Sequence, residues 1–149
     1  MTTPSDDVPA LVLEDVCRIH QDGPTTITAL DHVNLTVMPG ELVAVMGPSG
    51  SGKTTLLNIA GTLDAPTSGR VFIAGNDSGY LPPTARATIR RTHVGFVFQD
   101  FNLIPTLTVL ENVSLPLELG KMPTKEARAQ GRAALEDIDQ ADLADRYPS

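Results

Sequence analysis

The chain is poor in aromatic residues and in sulfur. Among 149 residues there is no tryptophan, two tyrosines, four phenylalanines and a single cysteine, Cys17. A lone cysteine forms no internal disulfide, which fits a reducing compartment. Cys17 reads either as a small buried filler in a strand or as a reactive thiol. Positive charge is scarce as well: 11 Lys and Arg against 18 Asp and Glu give a net charge of −7. That excludes the basic footprint of a general nucleic-acid binder. It leaves room for one compact phosphate site run on backbone dipoles and a lysine. No run approaches the roughly 18 consecutive apolar residues needed to cross a bilayer. The acidic, polar start MTTPSDDVPA lacks the apolar stretch of a secretory signal. The expected place is therefore the cytoplasm, with any membrane role supplied through a partner. A 41% hydrophobic and 19% charged composition excludes wholesale disorder, and the length suits one domain.

Residues 1–9 carry two prolines, two aspartates and small polar groups, and are expected to form a disordered lead-in. Residues 11–20 place Leu11, Leu13, Asp15, Cys17 and Ile19 on one face at strand period. After the turn Gln21-Asp22-Gly23-Pro24, alternation resumes with Ile27, Ala29, Val33, Leu35 and Val37. These predict an antiparallel, half-exposed sheet. Leu42-Val43-Ala44-Val45-Met46 is instead a continuous apolar run bounded by turn residues, the pattern of a strand buried on both faces of a parallel sheet. Val94–Phe98 reads the same way, and Arg70–Ala74 as a further short strand. Helices are expected over 53–62, 84–91 and 124–138. Another opens at the Thr108/Glu111 capping-box spacing, with Pro116 predicting a kink or an early end. Gly131 should weaken the last of these.

Gly47-Pro48-Ser49-Gly50-Ser51-Gly52-Lys53-Thr54 fits the pattern G-x-x-x-x-G-K-[ST] and lies between an apolar run and a helix, where its mechanism requires it. The glycines permit close backbone approach, and successive N–H groups can then point at phosphate oxygens. The helix start adds the positive end of its dipole. Lys53 supplies a point charge to the outer phosphates, the Thr54 hydroxyl is a Mg²⁺ ligand, and Thr55 is a further phosphate donor. The alternative is a glycine-rich turn holding no ligand. Elsewhere, His32 and His93 have no convergent partners at metal-ligand spacing and read as surface residues. Arg86, Arg90 and Arg91 read as a solvated helix face, with a phosphate role the lesser reading.

The stretches from Thr28 to Val71 and, most specifically, VGFVFQDFNLIPTLTVLENV from Val94 to Val113 resemble the nucleotide-binding subunit of ABC (ATP-binding cassette) transporters. The likeness runs from about Leu11 to Ser149, and within the family is greatest to the lipoprotein-release and macrolide-export type. It implies an α/β fold: a P-loop NTPase (RecA-like) core, an N-terminal antiparallel β-subdomain and the start of a helical subdomain, over residues 10–149. It implies ATP and Mg²⁺ as ligands, with Gly47 to Thr55 as the phosphate cradle. Gln99 takes the place of the family's glutamine, which contacts Mg²⁺ and the attacking water and links the site to the membrane partner. His20 takes the place where the family stacks an aromatic on adenine; imidazole can stack, with less area. A transmembrane permease and a second nucleotide-binding subunit, docked head to tail, are the implied partners. Nucleic acid is not. The implied location is peripheral, on the inner face of the cell membrane.

The family's Walker B strand, its glycine-rich signature loop and its switch histidine do not occur in these residues. Asp100 after Phe96-Val97-Phe98-Gln99 is the one rival for Walker B, and the text around it reads better as the glutamine loop. In the family, a segment like Asp145–Ser149 runs almost directly into the signature loop. The expectation is a cassette incomplete at its C-terminus, with its lysine, Thr54 and Gln99 present and its hydrolytic acid absent. Two functions follow: the ATP-binding part of a transport ATPase, or a nucleotide-binding module without hydrolysis. A GTPase is the third class, disfavoured by the lack of any N-K-x-D guanine-reading motif.

Overall fold

A computed structural model describes residues 8–148, so most of the expected lead-in over 1–9 lies outside the described residues. The chain divides into two units, residues 1–96 and 97–149.

In the first unit, β1 (Leu11–Asp22) and β2 (Thr25–Val37) form a long antiparallel hairpin. The strand β3 (Ser68–Ile73) pairs antiparallel with the other edge of β1, and the two-residue β4 (Asn76–Asp77) pairs with β3, giving the order β2-β1-β3-β4. The helices are α1 (Lys53–Ala60) and α2 (Pro83–His93). Leu13, Val16, Leu30 and Val71 of the sheet bury against Ile59 of α1, with Leu11, Val33, Leu35 and Leu56 packed around them.

The simple alternation read from the sequence does not run the length of either long strand. Leu13 and Leu35 are paired, as are Val16 and Val33, so Glu14 and Asp15 together face Asn34 alone. This is a β-bulge, with Asp15 at φ +52°. It reverses the facing parity, burying Val16 where alternation would bury Asp15. A second bulge sits on β2: Arg18 pairs with Leu30, so Cys17 faces both Asp31 and His32, the latter at φ +48°. Hence Leu30 is buried rather than Ala29, and the expected inward residues Ile19 and Ile27 are exposed. On the neighbouring strand Gly69, at φ +89°, lies so close to the Glu14 and Asp15 carbonyls that a Cβ would collide with them. Only glycine lets β3 follow β1 past its bulge.

Leu42–Met46 and Val94–Phe98, read as buried parallel strands, are not strands. Leu42 and Val97 are fully exposed, and Met46 is 88% exposed. A β-strand exists only where a neighbour accepts its N–H groups and donates to its carbonyls. Among the described residues, no strand pairs with either segment. The fold class remains α/β, but the only sheet of the described residues is antiparallel.

The second unit is helical. Its helices are α3 (Val109–Leu119) and α4 (Thr124–Glu136), followed by a 3₁₀ turn at Ala141–Leu143. The predicted capping box is present: the Thr108 hydroxyl accepts from the Glu111 amide at 3.2 Å, and the Glu111 carboxylate accepts from the Thr108 amide at 2.9 Å. Two more first-turn amides are taken by the end of the chain, Val109 by the Arg146 carbonyl and Leu110 by that of Ala144. The helix ends three residues beyond Pro116. Leu110, Leu135 and Ala144 form the buried core of this unit. Gly131 is buried where α4 meets α3; a Cβ there would stand 3.2 Å from Leu110 Cδ1 and 3.4 Å from Ser114 Cβ. Its absence of a side chain sets how closely the two helices approach.

Candidate functional site

The loop Gly47–Gly52 leads directly into α1, as its spacing requires. Gly52 is the N-cap residue, at φ +85°, and offers α1 no side-chain cap. A Cβ on it would run into the Ala29 carbonyl of β2. Glycine is thus needed both for the left-handed backbone and for docking the loop on the hairpin. The first bond of the helix joins the Leu56 amide to the Gly52 carbonyl at 2.8 Å. The amides of Lys53, Thr54 and Thr55 precede it and have no acceptor within the helix. No acidic residue stands in this first turn. The contrast with α3 is clear: there Thr108, Ala144 and Arg146 use up the equivalent donors.

Lys53 is half-buried beneath the loop, and its ammonium donates to the Pro48 carbonyl at 2.6 Å, to that of Gly47 at 3.0 Å and to Ser51 Oγ at 3.4 Å. A cavity of about 310 Å³ adjoins it, walled by Leu30, Val33 and Leu56 on the apolar side and by the loop on the other. Thr54 is exposed, its hydroxyl without a hydrogen-bond partner among the described residues. Lys53, the free amides and the loop therefore converge on one place, and they suit an anion with several oxygens.

The other sequence-selected residues lie in other segments of the chain. His20 is half-buried on β1 opposite Ile27 and is not among the residues lining the cavity. Gln99 and its neighbour Asp100 are exposed and belong to the second unit. Downstream of Gln99, Asn112 pins its own approach loop: its Oδ1 accepts from the Ile104 amide at 2.7 Å, while Nδ2 donates to the carbonyls of Ile104, Leu107 and Thr108. Sequence reading passed over Asn112 because an asparagine in a helix carries no signal until the loop it holds is folded. Of the arginines expected on a solvated face, Arg91 is exposed, but Arg90 donates to the Thr62 carbonyl at 2.7 Å, and Arg86 Nε and Nη1 are buried without a hydrogen-bond partner.

His93 is exposed, as expected. His32 is exposed too, but it has partners. Its Nδ1 lies 2.7 Å from Asp15 Oδ1, its Nε2 3.8 Å from Asp31 Oδ1, and its amide donates to Cys17 Sγ at 3.2 Å. The hydrogen bond and charge of Asp15, and then the charge of Asp31, hold the imidazole above its ordinary value of 6.5. Asp15 and Cys17 are distant in sequence from Asp31 and His32, and the hairpin brings the two pairs together. Cys17 itself is buried, in line with the filler reading.

The family model described as ABC transporter matches residues 30–149. The chain is 45% identical over 135 residues to the uncharacterized ABC transporter ATP-binding protein MJ0796 of Methanocaldococcus jannaschii, covering 91% of this chain and 57% of that protein. It is 40% identical over 148 residues to the lipoprotein-releasing system ATP-binding protein LolD of Bordetella pertussis, covering 99% and 64%. It is 43% identical over 141 residues to the macrolide export ATP-binding/permease protein MacB of Brucella abortus, covering 95% and 22%. Among solved structures, the dimeric post-hydrolysis state of the MJ0796 cassette bound to ADP and Pi matches with a TM-score of 0.83 and 44% identity, over 93% of this chain and 61% of that one. The chain thus spans less than two thirds of each of these relatives.

Proposed function

Since the chain belongs to the ABC transporter family, we propose that its Gly47–Thr55 segment binds the phosphates of ATP as the nucleotide site of a transport ATPase. The observation that carries this is the placement of Lys53. Its ammonium rests on the loop's own carbonyls beside three helix-start amides that have no acceptor in α1. A nucleotide offers oxygens to all of these donors at once. On binding, Lys53 exchanges neutral carbonyls for charged phosphate oxygens, and charge-assisted bonds are the stronger ones. The loop amides orient the phosphate chain, and the apolar wall of Leu30, Val33 and Leu56 keeps water from one side of the cavity.

The Thr54 hydroxyl, without a hydrogen-bond partner among the described residues, suits Mg²⁺. Mg²⁺ takes most of its remaining positions from water and phosphate, so one or two protein oxygens are enough. When bound, it neutralises phosphate charge. Gln99 is assigned to the metal and the attacking water, and His20 to the adenine face. Both roles rest on the family resemblance of their positions.

In the complete subunit the site would hydrolyse ATP and drive transport through a membrane-spanning permease, with a second cassette facing the first. That the MJ0796 cassette is dimeric and that MacB is an ATP-binding/permease protein support this reading. The subunit would sit on the inner face of the membrane, held there by its permease. No helix among the described residues is long and apolar enough to cross a bilayer. Taken alone, the 149-residue chain would bind nucleotide and release phosphate only at background rate. The reading rests on the sequence, in which the Walker B carboxylates that would supply a base do not occur.

The test is a titration of the chain with ATP and GTP, with Lys53→Ala alongside and phosphate release followed in parallel. Saturable ATP binding that Lys53→Ala weakens supports the site. Equal binding by the variant overturns it. Steady phosphate release that Lys53→Ala abolishes would overturn the background-rate reading while keeping the site.

A further inference from the structure

The bulges of the β1–β2 hairpin at Asp15 and His32 do more than redirect side chains toward the core. Where Val16 pairs with Val33 and Arg18 with Leu30, Cys17 is left facing Asp31 and His32 together. A thiol sulfur, a carboxylate oxygen and an imidazole nitrogen from these three residues all lie within 4.8 Å of one another. We propose that Cys17, Asp31 and His32 form a Zn²⁺ site, separate from the nucleotide loop.

Four features of the chemistry carry this. First, the donors are of the right kind: thiolate, imidazole and carboxylate are the ligands zinc takes, and a thiolate selects against Mg²⁺ and Ca²⁺. Second, the histidine is already oriented. Asp15 Oδ1 at 2.7 Å engages Nδ1, leaving Nε2 as the nitrogen open to a metal, with Asp31 Oδ1 3.8 Å away. A carboxylate behind a ligating histidine is the usual outer partner at zinc centres. Third, the sulfur is tied to the facing strand, because the His32 amide donates to Cys17 Sγ at 3.2 Å. Fourth, the adjustment needed is small. Tetrahedral zinc with bonds of about 2.0–2.3 Å brings its donors to roughly 3.3–3.5 Å from one another. The Asp31 and His32 side chains are exposed and can close that gap, whereas Cys17 is held in the buried face. Water would fill the fourth position from the solvent side.

Asn34 holds the frame, its Oδ1 accepting from the Asp15 amide at 2.9 Å and its Nδ2 donating to the His32 carbonyl at 3.0 Å. The ligands thus come from two strands tied together at the bulges of Asp15 and His32. Leu30 and Val33, which flank Asp31 and His32, line the cavity beside Lys53.

The chain contains one cysteine, so a thiolate-to-cobalt charge-transfer band reports Cys17 and no other residue. The experiment titrates the tag-free, metal-stripped full chain with Co²⁺ under reducing conditions and then adds Zn²⁺. One equivalent of Co²⁺ should produce the band and the intense visible absorption of four-coordination, and Zn²⁺ should bleach both. Cys17→Ser should abolish the near-ultraviolet band. His32→Ala should weaken binding at least about 10-fold, and Asp15→Asn, acting behind the ring, about 10- to 100-fold. Lys53→Ala should leave the titration unchanged. His32→Ala and Asp31→Asn alter exposed side chains, so they carry the test should Cys17→Ser fail to fold. A folded wild-type chain that gives no thiolate–cobalt band at millimolar Co²⁺ overturns the site. So does a band that persists undiminished in both His32→Ala and Asp31→Asn.

Discussion

The Lys53 ammonium donates a 2.6 Å hydrogen bond to the carbonyl oxygen of Pro48, five residues earlier in the same loop. A lysine that holds its own loop in this way can release it only to a better acceptor. Lys53→Ala should therefore weaken ATP binding by about 10- to 100-fold, the worth of one charge-assisted hydrogen bond. Stability should change by no more than about 0.5 kcal/mol, because loop carbonyls this exposed can bond to water instead. Isothermal titration with ATP, paired with urea unfolding, measures both.

Gly52 combines a left-handed backbone with a Cα packed against the Ala29 carbonyl. Gly52→Ala should destabilise the first unit by about 1–3 kcal/mol and lose nucleotide binding as the loop lifts from β2. Urea denaturation followed by circular dichroism would show the lowered midpoint. An unchanged midpoint would mean that the loop tolerates a Cβ by shifting as a whole.

The cap of α3 titrates. Hydrogen bonds to Thr108, led by that from its backbone amide, and then the charge of Arg128, hold the Glu111 carboxyl below its ordinary range. A carboxylate with a lowered folded pKa adds stability that is fully present above the unfolded value, about 4.3 for glutamate. That stability is lost as pH falls through the folded value. The helical signal should decline over this acidic range in the wild type, and that part of the decline should be missing in Glu111→Gln, which keeps an acceptor at the same place. Thr108→Ala should cost about 1 kcal/mol at neutral pH.

Gly131 tests how tightly α3 and α4 meet. An alanine gains about 1 kcal/mol in helix propensity, but its Cβ would press on Leu110 Cδ1 at 3.2 Å. The two effects should nearly offset, leaving Gly131→Ala within about 1 kcal/mol of the wild type. Gly131→Leu has no such balance and should destabilise by about 1–3 kcal/mol or more. Thermal unfolding of the three proteins would separate the cases.

Much of this molecule is legible along the chain because the relevant contacts are local. The glycine-rich loop lies within eight consecutive residues, and the structure sets Gly52 at the start of α1 with Lys53 beneath the loop, where the spacing implies. The capping box needs only Thr108 and Glu111 three residues apart, and it forms as written. The hairpin is announced by alternation on both sides of Gly23-Pro24. Even the ends of α2 and α4 fall within about two residues of their expected positions.

Other features depended on what lies across a strand or a helix. Leu42–Met46 has the composition of a buried strand, yet a strand is made by its neighbour's hydrogen-bonding groups, and composition does not supply one. The bulges at Asp15 and His32 reverse the inward face midway along β1 and β2, and only cross-strand register reveals them. That register turns Cys17 and His32, read separately as a filler and a surface residue, into neighbours of Asp31 in one donor cluster. Gly131, read as a weakness in a helix, proves to be the site of close helix approach. The sequence by itself determined the glycine-rich loop ahead of α1 and the capping box of α3, because both are closed within a turn or two of chain. Tertiary structure decided which apolar runs pair, which faces turn inward and which distant side chains meet, because these rest on contacts between residues that adjacent sequence does not link.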